Sequence, residues 1–189
     1  GAEGVVLQSH HHGLYLGDPR LDPLYRELDR RRGIVFVHPT SPACSCCPRL
    51  AARYPRPMLE FMFETTRSVT DMVLAGVLQR FSGIRVIVPH AGAVLPILLN
   101  RIELLSALVR NGDGGPTPSI RGAARTLYFD LAGMPVPHML SVLLDVADQK
   151  RILYGSDYPF TPEPGCEMLL RQLEETPLLD GALREMVLS

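Results

Sequence analysis

Apolar residues in this chain gather into short, almost unbroken runs, separated by longer stretches where they recur every third or fourth position. The runs are Gly4-Val5-Val6-Leu7, Ile34-Val35-Phe36-Val37-His38, Arg85-Val86-Ile87-Val88-Pro89-His90, Thr126-Leu127-Tyr128-Phe129-Asp130 and Arg151-Ile152-Leu153-Tyr154-Gly155-Ser156-Asp157. Continuous β-branched runs of this length predict strands buried on both faces, the mark of a parallel sheet. The intervening stretches predict helices over 21–31, 58–81, 94–109, 137–147 and 167–175. Pro23 and Pro96 sit near helix starts, where a missing N–H costs little, and Gly33 marks a stop. The Gly- and Pro-rich stretch 111–118 predicts a loop.

Strands alternating with helices make an α/β protein. An open doubly wound sheet would show the same rhythm, but Gln8-Ser9-His10-His11-His12-Gly13 after the first strand lacks the glycine fingerprint of a dinucleotide site. The polar residues favour a TIM-type (β/α) barrel, in which functional groups collect at the C-terminal ends of different strands. Here the second, third and fifth runs end in His38, His90 and Asp157. Five strand–helix units in 189 residues is about 38 residues each, and eight such units would take roughly 300. The expectation is one domain over residues 1–189 forming a partial barrel, about five units of eight.

Composition narrows the picture only slightly. With 46% hydrophobic and 21% charged residues the chain is ordinary globular material, and a net charge of −1 offers no general attraction to nucleic acid or an anionic membrane. The longest apolar stretch, around Val94 to Leu99, is interrupted by Pro96 and is too short to span a bilayer. The chain opens on Gly rather than Met, and Gly-Ala-Glu-Gly lacks the basic start of a signal peptide. Of four cysteines, Cys44, Cys46 and Cys47 crowd one segment and only Cys166 lies elsewhere. That spread suits neither a disulfide framework nor a structural zinc site, and predicts reduced thiols in a cytoplasmic protein.

Taken singly, each strand-end group has a plain reading: a strand-end His is commonly a hydrogen-bonded core residue. Three strands ending in metal-capable groups weigh more. Neutral imidazoles with a carboxylate suit a divalent ion such as zinc, and a buried carboxylate needs a cation or several donors beside it.

The segments Val35-Phe36-Val37-His38-Pro39, Pro89-His90-Ala91-Gly92 and Tyr154-Gly155-Ser156-Asp157-Tyr158-Pro159-Phe160 resemble, in order and strand context, the later motifs of the amidohydrolase superfamily. Within it the similarity is to the branch of aminocarboxymuconate semialdehyde decarboxylase, which includes salicylate- and resorcylate-type decarboxylases. The resemblance covers nearly the whole chain and makes its strands the equivalent of strands four to eight. It implies His38 and Asp157 as ligands of a zinc or manganese ion, and His90 as acid/base beside that metal, with Asp157 sharing in catalysis. It also implies that Phe160 walls the pocket and that Arg101, eleven residues after His90, reaches a neighbouring subunit of a homodimer to hold a substrate carboxylate. The family's first-strand His-x-His pair has no counterpart here. His10-His11-His12 falls in the turn after the first run, and a polar turn or pocket edge is its simplest reading.

The implied reaction is non-oxidative decarboxylation of a small aromatic or unsaturated carboxylic acid. Two alternatives stay open at this point. One is hydrolysis of a small ester, lactone or amide in the same site; the other is a truncated, non-catalytic half-barrel.

Overall fold

A computed structural model describes residues 1–43, 53–108 and 117–189. Cys44, Cys46 and Cys47, and most of the 111–118 loop, lie outside the described residues. Five parallel strands form one sheet: β1 (Gly4–Gln8), β2 (Ile34–His38), β3 (Arg85–Val88), β4 (Tyr128–Asp130) and β5 (Ile152–Leu153). Their order across the sheet is their order along the chain. A doubly wound sheet reverses direction at a switch point, whereas consecutive neighbours throughout are the winding of a barrel wall.

The register sorts the side chains onto two faces. Val35 pairs with Val5 and Val86, and Val88 with Phe129, which pairs with Ile152. This face is sealed by helices: Val35, Val37, Val86, Val88, Phe129 and Ile152 are all buried. The opposite face carries Val6, Phe36, Ile87 and Leu153, and it is not sealed among the described residues; Val6 is 65% exposed. Burial on both faces was the sequence expectation. Among the described residues the unbroken apolar runs are present, one face is packed, and the other lines an open cavity.

The packed face is covered by α1 (Asp22–Arg30), α2 (Glu60–Leu74), α4 (Leu95–Ser106), α6 (His138–Val146) and α7 (Glu163–Glu175). Tyr25, Met72, Val73, Leu99, Leu140, Leu143 and Leu169 join the strands in one core. The helix expected over 58–81 is two pieces. Gly76, at φ 73°, takes a left-handed conformation that ends α2 and starts the single turn α3 (Val77–Arg80). Two short helices were not anticipated. α5 (Ile120–Ala124) is capped by the Ser119 hydroxyl accepting from Gly122 N–H at 2.9 Å, and α8 (Gly181–Leu188) by Asp180 accepting from Leu183 N–H at 2.8 Å. After β1, His10–His11 and Leu14–Tyr15 pair as a tiny antiparallel hairpin. Among the described residues, no helix is long and apolar enough to cross a membrane.

Candidate active site

At the C-terminal ends of the strands, on the unsealed face, lies a cavity of ≈ 370 Å³. Phe36, Ile87 and Leu153 form its apolar wall, and His38, His90, Asp130, Asp157, Tyr158 and Phe160 form its mouth. The sequence-derived candidates His38, His90, Asp157 and Phe160 therefore meet at one place.

Each arrives by its own local route. His38 is the last residue of β2 and shares the parity of Phe36, so it faces the cavity. Its Nδ1 donates to the Pro39 carbonyl at 2.8 Å, and its ring packs at 5.6 Å, tilted, against Phe160. His90 follows β3 and Pro89 in a tight turn, His90–Gly92. His90, Ala91 and Ala93 all have positive φ, at 58°, 53° and 55°. Each such L-residue costs about 1–2 kcal/mol, so the turn persists only because its surroundings hold it. Asp157, also at positive φ (61°), sits four residues past β5. Its Oδ2 accepts from the Thr161 hydroxyl at 3.2 Å and stands 3.9 Å from His90 Nε2.

One site residue escaped the sequence reading. Asp130 ends β4, is buried, and lines the cavity. Its Oδ1 accepts from the backbone N–H of His90 at 2.9 Å and of Ala132 at 3.0 Å. Burial pushes its carboxyl above the usual carboxylate range, against the pull of those two N–H groups. The signal was available, since an apolar run ended by Asp is also what singled out Asp157.

Arg101 lies elsewhere, exposed on α4 and outside the cavity lining. The three consecutive histidines are also outside that lining. His10 is a structural anchor: its Nε2 donates to the Ser41 carbonyl at 2.7 Å, and its Nδ1 accepts from Gly13 N–H at 3.1 Å. Beside it Glu64, fully buried on α2, accepts from the Tyr15 hydroxyl and the Arg67 guanidinium. Burial first, then the bond to Glu64, push the Tyr15 phenol up to about 12.

The donor types at the cavity suit a divalent ion. The bond from His38 Nδ1 to a carbonyl fixes the neutral tautomer with its lone pair on Nε2, the form in which histidine ligates. In number the donors fall short: among the described residues no three His, Cys, Asp or Glu side chains come together to hold a metal. Catalytic ions of this kind take three protein ligands as a rule, so the described residues offer at most a partial set.

A parallel, consecutively wound sheet with histidine and carboxylate side chains gathered at its C-terminal ends defines the (β/α)-barrel class. The particular family is given by sequence: the amidohydrolase family profile matches residues 1–189, and the chain belongs to that family. It is 33% identical over 186 residues to 6-methylsalicylic acid decarboxylase of Penicillium expansum, covering 97% of this chain and 57% of that protein. A solved amidohydrolase II structure superposes with a TM-score of 0.89 at 34% identity, covering 99% of this chain and 59% of that one. A 5-carboxyvanillate decarboxylase of Novosphingobium aromaticivorans, solved with manganese and 4-hydroxy-3-methoxy-5-nitrobenzoic acid, shares the fold (TM-score 0.85, 21% identity, 97% of this chain and 53% of that one). The chain thus spans somewhat more than half the length of the relatives it matches.

Proposed function

We propose that this chain carries the acid/base group and two metal ligands of a metal-dependent, non-oxidative decarboxylase acting on a small aromatic carboxylic acid. The observation that carries this reading is the convergence of His38, His90, Asp157 and Phe160 on one cavity at the strand ends. The similarity to a decarboxylase of a hydroxylated benzoic acid supports decarboxylation over hydrolysis or a non-catalytic role.

His38 Nε2 and Asp157 would hold a divalent ion, manganese or zinc, together with donors beyond the described residues. Once bound, the ion supplies positive charge that orients and polarises an anionic substrate. The rest belongs to the chain's own side chains. Phe160 and the wall of Phe36 and Leu153 offer apolar surface to an aromatic ring. His90, as an imidazolium, gives a proton to the ring carbon that bears the carboxylate. The bond from that carbon to the carboxylate then breaks, its electron pair returns to the ring, and carbon dioxide leaves. Solvent then restores the proton to His90.

Arg101 is assigned to a second subunit's substrate carboxylate in a homodimer. Ile97, Arg101, Leu104 and Leu108 recur at helical spacing and are all exposed, an apolar stripe around a guanidinium that a partner would cover. A cytoplasmic setting is part of the same proposal, supported by the crowding of three of the four cysteines in one segment.

The test is product analysis with manganese and 6-methylsalicylate or related hydroxybenzoates. Equimolar carbon dioxide and the corresponding phenol are expected, with His90→Ala slower by about 10²–10⁴-fold. Hydrolytic products without carbon dioxide would sink the proposal.

A further inference from the structure

We propose that Asp130 and Gly133, from the strand and loop beside it, form a two-point clamp that positions the His90 imidazole. The proposal rests on the assignment of His90 as acid/base and concerns what places that ring. Its own nitrogens do not. Among the described residues His90 Nδ1 is buried without a hydrogen-bond partner, and Nε2 is 3.9 Å from Asp157, too far for a hydrogen bond. The ring is therefore placed through its backbone and by packing.

Both are governed from the β4 side. Asp130 Oδ1 takes the His90 N–H at 2.9 Å and fixes the first residue of a turn whose positive φ values would otherwise relax. The same oxygen takes the Ala132 N–H at 3.0 Å, tying His90 to the loop that leads to Gly133. Gly133, at φ 77°, then closes on the ring from behind. A Cβ built there would stand 2.9 Å from His90 Cδ2, so any larger residue must push the ring out of place. Asp130 and Gly133 are positioning residues: they set where the imidazole stands, and the imidazole acts.

The experiment combines kinetics with NMR of histidine-labelled protein, the His90 signals being identified by their loss in His90→Ala. Asp130→Ala and Gly133→Ala are expected to shift the His90 imidazole resonances. They should lower kcat by about 100-fold, the cost of misplacing a catalytic group by an ångström, with KM within about threefold. Asp130→Asn keeps an acceptor oxygen, and is expected to retain the His90 resonances and most of kcat. Gly76→Ala is the control for backbone strain. It has a similar φ of 73° with nothing nearer than 3.4 Å to the added Cβ, and should alter neither readout. If Asp130→Ala does not fold, Gly133→Ala, at an exposed position beside the buried Ala132, still decides. Unshifted His90 resonances in Gly133→Ala, or an Asp130→Asn as slow as Asp130→Ala, would overturn the clamp. A protein without decarboxylase activity would remove the function proposed above and leave the NMR result to judge the clamp.

Discussion

Because the Pro39 carbonyl takes the Nδ1 proton of His38, the neutral ring of this cavity-lining residue keeps its lone pair on Nε2. His38→Ala should therefore cost manganese affinity at least about tenfold in equilibrium dialysis, the size seen when a metal site loses even an outer partner, with little change in the far-UV spectrum. Glu64 offers a contrasting test away from the cavity. Tyr15→Phe removes one of two donors to a fully buried carboxylate and should destabilise the fold by about 1–3 kcal/mol in urea. The phenol itself adds a pH signature. Its folded pKa, about 12, lies above the ordinary value of 10.0, so its contribution is complete below pH 10 and is lost as pH rises from there through 12. Tyr15→Phe should flatten that part of the stability profile. At this scale the sequence motifs pointed to His38, His90, Asp157 and Phe160, which line one cavity although only His38 ends a strand. They did not single out Asp130, whose distinction is a hydrogen bond accepted across the sheet from His90 N–H, joined by a local one from Ala132 N–H. The histidine triplet was equally opaque, since the Ser41 carbonyl that gives His10 its role lies 31 positions away.

Among the elements, the five parallel strands were legible because each is a short apolar run bounded by Gly, Pro or charge. What stayed hidden is short. The hairpin has two residues per strand and no apolar alternation, and α5 has five residues with glycine at its centre. The break at Gly76 was masked by apolar spacing that continues on both sides of it. α8 depends on its cap as well as on packing: Asp180 starts it, and the Val187 carbonyl near its end accepts from Tyr154 N–H at 3.1 Å just past β5. Asp180→Ala should cost about 1 kcal/mol, the usual worth of an N-cap, and lower Tm by roughly 2–4 °C in calorimetry.

For the whole molecule, the exposed stripe of Ile97, Arg101, Leu104 and Leu108 links assembly to activity under the proposed dimer. Leu104→Glu places a charge in the middle of that apolar surface. Sedimentation should show monomer, and activity should fall together with the dimer fraction; an active monomer would detach Arg101 from the site. The sheet order has a temporal consequence. Each strand pairs with the one preceding it in the chain, so a nascent polypeptide can dock its units in the order they leave the ribosome. The cavity follows another clock: it draws on residues from Phe36 to Phe160, and its last acidic side chain, Asp157, emerges more than a hundred residues after His38. Most of the wall can thus be standing before the cavity has all of the side chains that these residues bring to it.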